Sequence, residues 1–175
     1  EVKPRVGGGA GRPRIYRGEK PGDKTFDLVV LINGNSASAS EIVSACVQDH
    51  ERAIIVGDRS YGKGSVQDVT GFSETGGEIK LTIARYYPPS GRNIDKPAAE
   101  QDKSITEWGV TPDKGFEVKL TREEQTELDT LMRDLEIIPS ATGKKQQVDE
   151  TKDKQLKAAL DYLRKQAMAR GNGDK

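Results

Sequence analysis

The chain has 175 residues, 28 of them basic, 28 acidic and 33% hydrophobic. A formal net charge of zero removes the electrostatic footprint of a nucleic-acid binder, and the single cysteine excludes an internal disulfide or a cysteine-cluster zinc site. The low apolar content predicts one domain with exposed appendages, and no apolar run reaches membrane-spanning length or reads as a signal peptide.

Residues 1–26 are polar and rich in Gly, Pro and Arg. They include Gly7-Gly8-Gly9, which no strand precedes and no helix pattern follows, so a loop is expected. An apolar, β-branched run at 27–32 predicts a buried strand. The hydroxyl-rich turn Asn33-Gly34-Asn35-Ser36-Ala37-Ser38 leads into a helix of about 39–50. Its apolar residues Ile42, Ala45 and Cys46 fall on one face, placing Cys46 in the core. Residues 52–56 predict a second buried strand, so that strand, helix and strand make a βαβ unit with parallel strands. The serine turn and the loop Gly57–Gly64 then lie at the same carboxyl edge of the sheet, where open α/β sheets place ligands.

Further strands are expected at 65–70 and 78–87, joined by a turn at 71–77. In the second, Ile79, Leu81 and Ile83 fall on one face and Lys80 and Thr82 on the other. Residues 92–107 read as a loop, and Trp108–Asp113 as a compact packed segment. Thr121-Arg122-Glu123-Glu124 is a capping box opening a helix to about Leu135. A polar linker at 139–150 and an amphipathic helix at 153–168, with Leu156, Leu160 and Leu163 on one stripe, complete the chain. It ends in an expected frayed tail.

The serine turn could be a helix cap alone. It could also present Ser38 at a helix N-terminus, where free N–H groups favour developing negative charge. A serine nucleophile needs a base about 3 Å away. The single histidine, His50, stands twelve residues beyond Ser38 on the same helix, about 18 Å at helical rise, which excludes a Ser-His-Asp triad on Ser38. His50 instead suits the helix C-terminus. Lysine remains as a base, provided burial favours its neutral form. Lys63, flanked by Gly62 and Gly64, shares the sheet edge with Ser38, and Gln67 could orient its amine. A solvated loop lysine is the plain alternative. Gly57-x-x-x-x-Gly62-Lys63 also approaches a phosphate-binding loop, but Gly64 stands where Ser or Thr must hold magnesium, and a strand pattern rather than a helix follows.

These residues resemble the carboxyl-terminal processing peptidases, or tail-specific proteases. The resemblance runs through Asn33–Ile42, Gln48–Ala53, Val56–Gln67, Tyr87–Ile94 and Gly109–Asp113. It implies a ClpP/crotonase-like α/β core with a mixed sheet and a βαβ unit, followed by C-terminal helices. It also implies a serine endopeptidase working by a Ser-Lys dyad. The family's nucleophile falls on Ser38, its base on Lys63 and its lysine-orienting glutamine on Gln67. The Ala39 backbone N–H would supply part of the oxyanion hole. Glu41 matches a position associated with support of the site, although an acid in a helix's first turn needs no such role. No cofactor or metal is implied. The implied partners are protein or peptide substrates with disordered or apolar C-termini, and the implied location is outside the cytoplasm.

The expected division is a polar N-terminal region at 1–26, a partial protease core at 27–118, a helix at 119–138, a linker at 139–152, and a helix with its tail at 153–175. The family's tail-binding PDZ domain and upstream oxyanion glycine turn have no counterpart in the sequence, so a catalytic-core fragment is expected. A non-catalytic peptide-binding or scaffold module of the same fold is the alternative from another class.

Overall fold

The computed structural model describes residues 2–4, 15, 25–72, 76–137 and 150–171. The elements in order are β1 (Val2–Pro4), β2 (Val29–Ile32), α1 (Ala39–Asp49), β3 (Ile54–Gly57), β4 (Ser65–Gly71), β5 (Glu78–Tyr86), α2 (Lys96–Gln101), α3 (Arg122–Ile137) and α4 (Lys154–Gly171).

The β-branched runs form the expected parallel pair. β2 and β3 lie in register from Val29 opposite Ile54 to Ile32 opposite Gly57, with α1 as the crossover. Beyond β3 the chain returns at 116–118, where Gly57 N–H donates to Phe116 O at 3.1 Å and Val118 N–H to Gly57 O at 2.7 Å. Gly57 has φ +128°, and a Cβ there would stand 2.0 Å from Ile32 O. Only glycine allows the strands this approach. Ile32, Ala45, Ile55, Ile94 and Val110 form the core, with Val30 and Val47 packed against it.

The second sheet is antiparallel, in the order β1-β5-β4. Among the described residues the strands therefore form one parallel and one antiparallel sheet rather than a single mixed sheet. β4 pairs with β5 through the hairpin and does not join β3. Residues 2–4, expected as loop, pair with Ala84–Tyr86. A three-residue edge strand is made by its partner and leaves no periodicity to read; Pro4 is tolerated there because an edge strand can spare an N–H. The glycine run 7–9, most of the 139–150 linker and the tail 172–175 lie outside the described residues.

Ile79, Leu81 and Ile83 are 42%, 58% and 47% exposed, so the alternation in β5 marks a pleat whose apolar face is open. Two other expectations change. α1 buries Glu41, Ser44 and Ala45, while Ile42 and Cys46 are only half-buried. Donors waiting in the interior turn the helix toward its glutamate. Finally, α2 occupies part of the expected 92–107 loop, with a proline in its first turn and Ala98 buried. Six residues are too few for a helical period to show.

The C-terminal helices begin as read. Glu124 Oε2 accepts from Thr121 N–H at 2.9 Å, and Thr121 Oγ1 from Glu124 N–H at 3.2 Å, completing the capping box of α3. Asp153 Oδ1 caps α4 by accepting from Gln155 and Leu156 N–H, each at 2.9 Å. α4 lies against β2 and β3. Ala159 is buried, Leu156, Leu160 and Leu163 are half-buried, and Tyr162 meets Phe116 edge-on at 5.4 Å.

Candidate active site

The turn between β2 and α1 is built from its own polar groups. Asn33 N–H donates to Ser36 Oγ at 3.1 Å, Asn35 N–H to Asn33 Oδ1 at 2.9 Å and Ser36 N–H to Asn33 O at 2.9 Å. The chain then enters the helix through Ser38 at φ 58°, ψ −113°. Positive φ is costly for a residue with a Cβ and persists where surrounding structure enforces it, often at functional sites. A serine on a strained strand-to-helix turn is also how a nucleophile elbow presents its hydroxyl.

Glu41, one turn into α1, does the enforcing. Its carboxylate is 1% exposed and meets four donors. Oε2 accepts Ser38 N–H at 2.9 Å and Lys63 N–H at 2.8 Å. Oε1 accepts Gly62 N–H at 2.7 Å and the Ser60 hydroxyl. Two bonds ending on one oxygen hold the Ser38 and Lys63 backbone nitrogens within about 6 Å of each other. Tyr61 N–H donates to Ser36 O at 2.9 Å and adds a second stitch between the loops. The two carboxyl-edge loops named from the sequence are therefore one unit.

At the start of α1, Ser40 N–H reaches Ala37 O, and Glu41 and Ile42 N–H both reach Ser38 O. The Ala39 N–H has no acceptor among the described residues. An unpaired N–H beside a serine at a helix N-terminus is suited to receive negative charge.

The loop carrying Lys63 is clamped from its other side. Lys96 N–H donates to Gly62 O at 2.9 Å, and Tyr86 N–H to Gly64 O at 2.7 Å. Gly62, at φ +89°, sits so close to Lys96 and Trp108 that a Cβ would stand 2.8 Å from each side chain. Arg59 and Lys96 both lie over the Trp108 ring, 4.8 Å from its centroid. The compact segment expected at 108–113 thus supports this loop. Val110 is buried at its centre, and Asp113 Oδ2 accepts from Ile55 N–H at 2.7 Å.

The Lys63 side chain itself is exposed, not buried as the base reading expected, because no described element covers it. Gln67 is also exposed, at the irregularity between Val66 and Gln67 in β4. His50 forms the exposed C-cap of α1, at the end remote from Ser38. β4 follows Gly64 where a phosphate-binding loop needs a helix. Ser60 lies inside the recognised stretch but has no role legible from sequence, since a loop serine between polar neighbours reads as surface. It is 2% exposed, and its Oγ accepts from Val110 N–H at 2.7 Å while donating to Glu41. Among the described residues no helix is long and apolar enough to cross a membrane.

The profile of Peptidase family S41 matches residues 2–114. The chain is 45% identical over 107 residues to a carboxy-terminal-processing protease of Bartonella bacilliformis, covering 60% of this chain and 24% of that relative. It is 40% identical over 83 residues to a chloroplastic C-terminal processing peptidase of Tetradesmus obliquus, covering 47% and 18%. Among solved structures, a photosystem II D1 C-terminal processing protease is similar at 37% identity and a TM-score of 0.39, over 55% of this chain and 21% of that one. The chain thus spans about a quarter or less of the length of these proteins. With the profile matching well over half of its residues, the chain belongs to peptidase family S41.

Proposed function

We propose that this chain is the catalytic core of a serine endopeptidase that cuts proteins near their C-termini, with Ser38 as nucleophile and Lys63 as general base. The observation that carries the reading is the Glu41 carboxylate, whose Oε2 binds the backbone N–H of both residues. A shared acceptor fixes the spacing of two backbones from separate loops, which supports a nucleophile–base pair whose side chains meet between them.

Ser38 Oγ attacks the scissile carbonyl as its proton passes to Lys63 Nζ. The oxyanion is received by the Ala39 N–H. Lys63 returns the proton to the leaving amine, and water then hydrolyses the acyl-enzyme with Lys63 again as base. Lys63 must be neutral to begin. Gln67 orients the amine without adding charge.

The proposed fold is ClpP/crotonase-like. The proposed core is 27–118, preceded by 1–26 and followed by a helix at 119–138, a linker at 139–152 and a helical tail at 153–175. The proposed substrates have disordered or apolar C-termini, and the proposed location is extracytoplasmic; relatives include chloroplastic processing peptidases. The test is a fluorophosphonate probe on the full-length protein. It should label Ser38, with labelling and cleavage both lost in Ser38→Ala. Undiminished cleavage by that variant overturns the proposal.

A further inference from the structure

We infer that Ser60 is a positioning residue of the peptidase reaction, acting through Glu41. The inference rests on the Ser38–Lys63 reading above and assigns a residue outside the expected nucleophile, base and oxyanion groups.

Ser60 is 2% exposed. Its hydroxyl has one proton, directed at Glu41 Oε1, and it takes a second hydrogen bond from Val110 N–H at 2.7 Å. Its own N–H donates to Val110 O at 3.0 Å. The rotor is therefore set by partners on both sides. The segment above it is close: a Cβ on Gly109 would stand 2.9 Å from Ser60 Oγ. That segment is anchored independently, with Gly109 N–H on Ile94 O at 2.8 Å and Asp113 N–H on Ile55 O at 2.9 Å.

A carboxylate turns about its last side-chain torsion, which is broad and weakly held by intrinsic preference. Its orientation here depends on donors at both oxygens. Ser60 and Gly62 hold Oε1, while Oε2 binds the Ser38 and Lys63 amides. Without the hydroxyl, Oε1 keeps one donor and the plane can rotate, so the bonds that space Ser38 from Lys63 loosen. Ser60 thus links the 108–113 segment to the dyad by a single chain of hydrogen bonds, from Val110 through Ser60 to Glu41.

A residue acting through Glu41 loses its influence once Glu41 is altered, whereas one that only packs the loop does not. The test is a double-mutant cycle in the full-length protein with Ser60→Ala and Glu41→Gln, measured as kcat and KM on a C-terminally tagged unfolded substrate. Ser60→Ala is expected to lower kcat about ten- to a hundredfold with little change in KM. The double variant is expected to be no worse than the weaker single variant to within about threefold. If Ser60→Ala keeps the parent kcat, or if the two losses multiply, the inference is wrong. Should the alanine chain not fold, Ser60→Cys fills the site with a weak donor and enters the same cycle with the same outcomes. Ser38→Ala is assayed alongside. Full turnover there overturns the peptidase reading itself, whereas a dead Ser38→Ala beside an unaffected Ser60 variant overturns only the role of Ser60.

Discussion

Four donors converge on Glu41, and all of them lose their acceptor if its carboxylate is removed. Each buried group left unpaired costs about 1–3 kcal/mol. Glu41→Ala should therefore lower unfolding stability by at least about 3 kcal/mol, measured by denaturant titration; a loss of a few tenths would mean that water replaces the carboxylate. At the proposed dyad, Ser38→Ala and Lys63→Ala should each reduce turnover by orders of magnitude. Lys63→Arg should be as damaging, because a guanidinium keeps its proton. Gln67→Ala should reduce turnover less than Lys63→Ala, and His50→Ala hardly at all, since His50 caps the far end of α1. Turnover should rise toward alkaline pH, as the base must be unprotonated. A limb that vanishes with His50→Ala would identify a different base.

Among elements, the loop between β3 and β4 depends on glycine. At Gly62 a Cβ meets two side chains at 2.8 Å and φ is +89°. Gly62→Ala should displace the Lys63 backbone and lower kcat at least about tenfold, with α4 unaffected; a crystal structure of the variant with the loop unmoved would count against this. The α3–α4 contact offers a pH prediction. The Lys154 ammonium, hydrogen-bonded to Glu124, holds that carboxyl below its ordinary value, and the Thr121 N–H adds to the effect. A depressed carboxyl stabilises the fold at neutral pH, and that contribution is lost as pH falls below the usual 4.5 and through the lowered value. Carboxyl titration by NMR should find Glu124 below free glutamate, moving up in Lys154→Ala and in high salt, since the group is solvent-facing.

At the scale of the molecule, the parallel pair β2–β3 and the hairpin β4–β5 meet at the loop that carries Lys63. β3 delivers its first residue, and Tyr86 at the end of β5 holds its last through Gly64 O. One face of that hairpin is open, with Leu81 58% exposed, and the chain spans 24% of the Bartonella relative's length. Substrate contacts remote from the scissile bond supply much of an enzyme's turnover, and each oxyanion donor of a serine peptidase is worth about a hundred- to a thousandfold. The 175-residue chain alone should therefore cleave an unfolded tagged substrate barely above background, while the full-length protein is clearly active. Equal, robust cleavage by both would show that these residues suffice.

The sequence by itself determined the parts whose physics is local. Two β-branched runs around an amphipathic segment specify β2, α1 and β3, the Thr121–Glu124 box starts α3, and helical rise separates His50 from Ser38. Motif spacing brought Ser38 and Lys63 to one edge, because parallel strands joined by a helix end on the same side. Tertiary structure decided what depends on partners distant in the chain. Glu41 reads as either a support of the site or a plain first-turn acid, and only the fold brings Ser60, Gly62 and Lys63 to its carboxylate. Ser60 reads as a surface hydroxyl until Val110 closes over it. Ile79, Leu81 and Ile83 alternate as a buried face would, yet burial requires a second layer, and alternation within one strand carries no information about whether that layer is there.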